Sequence, residues 1–160
     1  MAPPSGAFIF SAVERSKLSA MRALGLDVGS KAIGIALTDE ANIAAHPLTV
    51  LDRVGNSGDA AKIAALAAEH GVTDVVVGIP YELSGKRGHR AKRVDELVAV
   101  LKTALGDAIA LHEQDERFTT AEAERVLIDA NVSRAKRKEV IDRQAAALIL
   151  QGWLDARRSV

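Results

Sequence analysis

Apolar positions recur with two periods along this chain, and the switches between them mark its elements. Residues 24–39 read LGLDVGSKAIGIALTD. Leu24, Leu26 and Val28 bracket Gly25 and Asp27, and Ile33, Ile35 and Leu37 then alternate across Gly34. Two period-two runs separated by Gly29-Ser30 predict a β-hairpin, with Asp27 near the end of its first strand. Leu48 and Val50, with Val54 at the limit, predict a third, shorter strand around Pro47. Residues 52–59, DRVGNSGD, read as a loop. Helical spacing of Ile63, Leu66 and Ala67 predicts a helix over 60–70, closed by Gly71. The continuous apolar run of residues 72–79, VTDVVVGI, predicts a central parallel strand.

A loop from Pro80 then leads into a second helix, with Val94, Leu97, Val98, Leu101 and Leu105 on one face and Gly106 at its end. Residues 108–113, AIALHE, predict a fifth strand. Thr119 or Thr120 is placed to cap a following helix that has Glu122 and Glu124 in its first turn. Residues 139–157 predict a long last helix on which Asp142, Ala145 and Ala146 share a face. Hairpin, strand, helix, strand, helix, strand and helices give an α/β protein with a mixed sheet covered by helices. Residues 1–20 lack this patterning and are expected as an extension ahead of one folded domain over 21–158.

Composition narrows the chemistry. The chain has 160 residues, 48% apolar and 26% charged, enough for one domain with a sizeable core. Aromatic residues make up 3%, so aliphatic packing dominates. Net charge is zero, so any basic surface is local. The absence of cysteine excludes disulfides, thiolate metal sites and cysteine catalysis, and suits a reducing cytoplasm. No apolar run approaches the roughly 20 residues that span a bilayer.

Two basic segments interrupt the neutral background. Residues 80–93, PYELSGKRGHRAKR, hold Lys86, Arg87, Arg90, Lys92 and Arg93, with His89 when protonated and only Glu82 opposing them. This loop leaves the C-terminal end of a strand, where open α/β sheets bind ligands, so it is a candidate phosphate-binding patch. Residues 133–138, SRAKRK, are the second cluster.

Three acidic positions stand apart from helical solvation. Asp27 ends the first strand, Asp115 and Glu116 follow the fifth, and Asp142 lies on the last helix. Read singly, each has an ordinary use: a turn cap, an end-of-strand acid, an exposed helical aspartate paired with Lys138 or Arg143. Read together, three carboxylates beside small or turn-forming residues suit a site for Mg²⁺ or Mn²⁺, which take hard oxygen ligands. Such a site serves phosphodiester hydrolysis, in which the cations help ionise the attacking water and stabilise the leaving oxygen. The basic segments would hold flanking phosphates.

Four segments in order, GLDVGSKAIGIALTD, VVVGIPYELSG with its basic helix, DERFTTAEAE and VIDRQAAALILQGWL, resemble the YqgF/RuvX family. That family is described as Holliday junction resolvases and as nucleases that mature pre-16S ribosomal RNA. The resemblance spans about residues 21–153. It implies a ribonuclease H-like fold, a five-stranded mixed sheet flanked by helices, and a divalent-metal nuclease site using Mg²⁺ or Mn²⁺. Carried over by position, it assigns Asp27, Glu116 or its neighbour Asp115, and Asp142 as catalytic acids, with Asp27, Glu116 and Asp142 as metal ligands. Arg117, Thr119 and Thr120 complete the middle motif. Lys86, Arg87, Arg90, Arg93 and Arg117 are candidate phosphate contacts, with Arg134, Lys136 and Arg137 secondary. Ala32 stands where the family often has arginine, and Ser84 precedes Gly85 where it often has aspartate.

The implied substrate is structured RNA or branched DNA, met in the cytoplasm by a monomer or a homodimer, with Trp153 placed either in an interface or in the core. Two other readings compete. The Asp-x-Gly-Ser hairpin also occurs in actin-like ATPases, which need a second domain that 160 residues do not hold. A catalytically weak nucleic-acid-binding factor for ribosome assembly would keep the basic segments and use the acids only for capping.

Overall fold

The computed structural model describes residues 22–117 and 125–158. The expected extension over 1–20 and the capping positions Thr119 and Thr120 lie outside the described residues. Five strands form one mixed sheet: β1 (Arg22–Val28), β2 (Ala32–Thr38), β3 (Ala45–Asp52), β4 (Val72–Ile79) and β5 (Ala110–Asp115). Their order across the sheet is β3-β2-β1-β4-β5. β1 pairs antiparallel with β2 and β2 with β3, while β4 runs parallel to both β1 and β5. The C-terminal ends of β1, β4 and β5 therefore open on one side of the molecule. Helices over the sheet among the described residues include α1 (Asn56–Glu69), α2 (His89–Leu105) and α3 (Arg134–Arg158).

Strand parity divides the core into two layers. Leu24, Leu26, Ile33, Ile35, Val75 and Val77 pack with Ile63 of α1 and Leu97 and Leu101 of α2. Ala23, Ala36 and Val76 point to the other face, against Ala146, Ile149, Leu150 and Trp153 of α3. Trp153 is buried in this second layer, so within the chain it is a core residue. Gly25 and Gly78 let α3 settle close to the sheet. A Cβ on Gly25 would stand 2.7 Å from the Leu150 Cβ, and one on Gly78 would run into Ile149. The hairpin glycine expected to allow close approach, Gly34, has more room: a Cβ there would meet Ala146 and Asp27 only at 3.6 and 3.7 Å.

Several boundaries differ from the expectations. β3 is a full eight-residue strand, not a shorter one, because a register shift between Ile35 and Ala36 of β2 accommodates Pro47. Its edge position leaves most of it exposed, which hides the period-two signal. β5 lies two residues later than expected, over 110–115 instead of 108–113, since parallel pairing with β4 runs from Asp74↔Ala110 to Ile79↔Asp115. α1 starts at Asn56, inside the stretch that reads as a loop, and the last helix starts at Arg134, five residues early. The second basic cluster is therefore the first turn of α3.

Candidate functional site

Asp27 reaches the site through parity. It alternates with Leu24 and Leu26, which fill the α1–α2 layer, so it faces α3. Gly34 sits directly opposite on β2. Beyond Val28 the chain turns at once, closed by the Gly29 N–H donating to the Ala32 carbonyl at 2.9 Å.

Parity also separates the two acids of the middle motif. Val76 pairs with His112 and Gly78 with Gln114 on β5, all on the α3 side. Glu116 continues that alternation one residue beyond the strand, because its N–H still donates to the Ile79 carbonyl at 3.2 Å. A Cβ on Gly78 would lie 3.1 Å from Glu116 Oε1, so the missing side chain of Gly78 leaves space for this carboxylate.

Asp115 points the other way and is occupied. Arg117 Nη2 donates to its Oδ2 at 2.6 Å, Nε donates to both carboxylate oxygens, and the Arg117 N–H donates to Oδ1 at 3.0 Å. The hydrogen bonds from the Arg117 side chain hold the Asp115 carboxyl below its usual range.

The remaining acids feel one another. Burial raises the Asp27 carboxyl; nearby Arg90 offsets part of this, and Asp142 adds to it. Burial also raises Glu116, to about 7, with the Asp27 charge adding and Arg90 opposing. Asp27 and Glu116 are thus desolvated carboxylates that each disfavour the other's charge, with Arg90 opposing the effect at both. Asp142 is exposed on the third turn of α3, within electrostatic reach of Asp27. Among the described residues, no three His, Cys, Asp or Glu side chains already stand together as a metal cage. The donor set is nonetheless all carboxylate oxygen, and mutual repulsion is the cost that a divalent cation removes, so these residues fit one.

The proposed phosphate contacts divide in two. Arg87 is held by its own chain, with Nη1 on Asp95 at 2.6 Å and Nη2 on Glu113 at 2.8 Å. Arg117 is held by Asp115, and its Nη1 also donates to the Glu82 carbonyl at 3.3 Å. Both guanidiniums lie against Tyr81, 5.3 and 5.5 Å from the ring centre. Arg137 donates to the Val132 carbonyl at 2.7 Å, and Lys136 stands 4.0 Å from Glu139. Lys86, Arg90, Arg93 and Arg134 are exposed and make no ion pair among the described residues. Arg90, on the first turn of α2, is the cation nearest in effect to both Asp27 and Glu116.

Sequence reasoning misses Arg53 and Asp59. Asp59 is fully buried and accepts from Arg53 Nε at 3.0 Å and from the Val54 N–H at 3.0 Å. Arg53 also donates to the Asn56 side chain at 2.7 Å and the Gly29 carbonyl at 3.2 Å, while its N–H binds the Lys31 carbonyl at 2.9 Å. The turn after Asp27 is thus bolted to the start of α1. Nothing in the local pattern marks a buried pair; the only signal is an arginine just before a glycine-rich stretch that ends in aspartate.

The sheet order β3-β2-β1-β4-β5, with helices on both faces, is that of the ribonuclease H-like fold. Within it, the family described as RuvX, Holliday junction resolvase, matches residues 21–156. The chain belongs to this family. A protein of Myxococcus xanthus, provisionally named a pre-16S rRNA nuclease, is 45% identical over 138 residues, 86% of this chain and 90% of that one. One of the same name from Thermoanaerobacter pseudethanolicus is 45% identical over 140 residues, 87% of this chain and 99% of its own. Among solved structures, Thermus thermophilus RuvC bound to a Holliday junction superposes with a TM-score of 0.55 at 17% identity, covering 86% of this chain and 96% of that one. At that identity the likeness concerns the fold.

Proposed function

We propose that this protein is a divalent-metal-dependent endonuclease that processes the end of precursor 16S ribosomal RNA. One observation carries the reading: Asp27 and Glu116, from strands far apart in sequence, share a desolvated site at the sheet's C-terminal edge and repel each other beside Arg90. Asp27 and Glu116 would hold Mg²⁺ or Mn²⁺, with exposed Asp142 as the third ligand. A divalent cation there supplies the positive charge that helps ionise an attacking water and neutralises the departing 3′-oxygen. Arg90 would meet a non-bridging phosphate oxygen, and Lys86, Arg93 and Arg134 would meet flanking phosphates. Asp115 serves the site indirectly, by fixing Arg117 and the loop above it. The names of the relatives favour RNA as substrate, which would be met in the cytoplasm.

The test is cleavage of a precursor 16S RNA end in Mn²⁺, with Asp27→Asn as the blank. Cleavage by the native chain and none by the variant is expected; equal activity of the two would overturn the metal-site assignment.

A second reading, resolution of branched DNA, is favoured by the family's description and by the RuvC likeness. It requires a homodimer, since two strands must be cut. Paired nicks in a four-way junction, without RNA cleavage, would establish it over the first.

A further inference from the structure

One side chain beside this site touches almost nothing. Leu83, in the loop between β4 and α2, is 98% exposed. Single exposed leucines are common on protein surfaces, so exposure alone carries no weight. The loop that carries this one is what sets it apart.

The loop has a built shape. The Gly85 N–H donates to the Glu82 carbonyl at 2.8 Å, closing a turn with Leu83 and Ser84 at its corner. The Glu82 N–H donates to the Lys86 carbonyl at 2.9 Å. Gly85 takes a φ of +88°, which a side chain would disfavour. The Glu82 side chain occupies the space beside Gly88 that any larger residue there would need. From below, Arg117 reaches up to the Glu82 carbonyl, and Arg87 and Arg117 both contact Tyr81 at the loop's root. Those two arginines are themselves fixed by Asp115, Asp95 and Glu113. Side chains from β5, α2 and Arg117 therefore hold out a leucine that packs on none of them.

The surroundings say what it meets. The loop leaves β4 at Ile79, whose carbonyl binds the Glu116 N–H, so it rises from the wall of the carboxylate site. Lys86, Arg90, Lys92 and Arg93, which follow it in the chain, are exposed and without ion pairs among the described residues. An apolar tip on a segment that carries exposed cations suits a polyanion with flat apolar faces, which is a nucleic acid strand with an unstacked base.

We infer that Leu83 is a wedge that stacks against a nucleobase next to the cleaved phosphodiester and stabilises an opened base step there. Side chains such as leucine insert between bases in this way, while neighbouring cations hold the backbone. This rests on the nuclease reading and refines it: the preferred substrate is strained, flipped or unpaired at the cut. Burying a leucine side chain is worth roughly ten-fold or more in a binding equilibrium, so the wedge would show in affinity for such substrates.

The test uses the full chain carrying Asp27→Asn, so that bound substrate survives, and a precursor 16S RNA end with 2-aminopurine placed in turn at positions flanking the cut. Binding should raise emission at one position as that base unstacks. Adding Leu83→Ser should abolish the rise and weaken binding about ten-fold, with thermal stability unchanged, and Leu83→Phe should restore the rise. Binding with no emission change at any flanking position, or an undiminished rise in Leu83→Ser, would overturn the wedge and leave the nuclease reading standing. Failure of the Asp27→Asn protein to bind the RNA at all would overturn both.

Discussion

Arg53 and Asp59 form an ion pair with Nε and Oδ2 3.0 Å apart, the aspartate side chain fully buried and the arginine 16% exposed. The pair joins the turn after Asp27 to the first turn of α1. The Arg53 hydrogen bonds and the Val54 N–H keep the Asp59 carboxyl below its usual range despite burial, which pushes it the other way. Removing one member of a buried pair strands the other, so Asp59→Asn should cost about 3 kcal/mol in denaturant unfolding. A depressed folded-state pKa stabilises above the unfolded value of 3.8 and loses that contribution as pH falls through the lower folded value. The stability gap between native and variant should therefore be constant at neutral pH and narrow only below about pH 4. A gap that narrows between pH 7 and 5 would contradict this assignment.

Glu116 follows the opposite sign. Its carboxyl is raised from 4.5 to about 7, so the metal-free folded state is not penalised below pH 4.5, and the penalty grows as pH rises to 7. In EDTA at pH 8, Glu116→Gln should stabilise the protein, by on the order of 1 kcal/mol once solvent screening is allowed for. At pH 4 the difference should vanish. The same variant should lose cleavage by about 10²–10³-fold. Thermal melts at both pH values with a cleavage assay check this, and a variant less stable than the native chain at pH 8 would count against it.

Adding Mn²⁺ should reverse the order. The cation relieves the repulsion between Asp27 and Glu116, so it should raise the native melting temperature at pH 8 and leave Asp27→Asn nearly unmoved. Differential scanning calorimetry with and without Mn²⁺ reads the effect; equal shifts in the two proteins would place the binding elsewhere.

Gly78 and Gly25 make a matched pair for separating packing from chemistry. Alanine at either crowds α3 and should cost about 1–3 kcal/mol. Only at Gly78 does the new methyl also stand 3.1 Å from Glu116 Oε1. Gly78→Ala should therefore lower kcat more than Gly25→Ala at equal stability, a comparison made well below both melting temperatures.

Asp115 and Glu116, adjacent in the chain, should part in kinetics. Asp115→Asn loosens Arg117 and the loop above it without touching the carboxylate site. A loss of about ten-fold, mostly in KM, is expected, against a loss in kcat for Glu116→Gln. Identical profiles for the two variants would mean that Asp115 also contacts the reacting groups.

The sheet and its helices were legible because burial writes itself into the pattern: alternation in β1 and β2, an unbroken apolar run in β4 and a helical stripe in α2. The edges were not. β3 and β5 each have a strand on one side only, so their composition is polar and their limits are set by partners: Pro47 by a register shift in β2, Asp115 by Ile79. The acids were legible as types at spacings, but choosing between Asp115 and Glu116 needed the true length of β5, which fixes the parity of the residue after it. Arg87 and Arg117 looked like Lys86 and Arg90 in sequence; only their distant partners, Asp95, Glu113 and Asp115, separate them. Arg53 and Asp59 are marked by no pattern, since a buried ion pair depends on tertiary enclosure.

Asp27, Glu116 and Asp142 enter the molecule from its first strand, its last strand and its final helix. No contiguous fragment holds all three without most of the fold between them. The proposed site is thus complete only when β1, the segment after β5 and α3 stand together, so its assembly reports on the sheet and on the helix that crosses it.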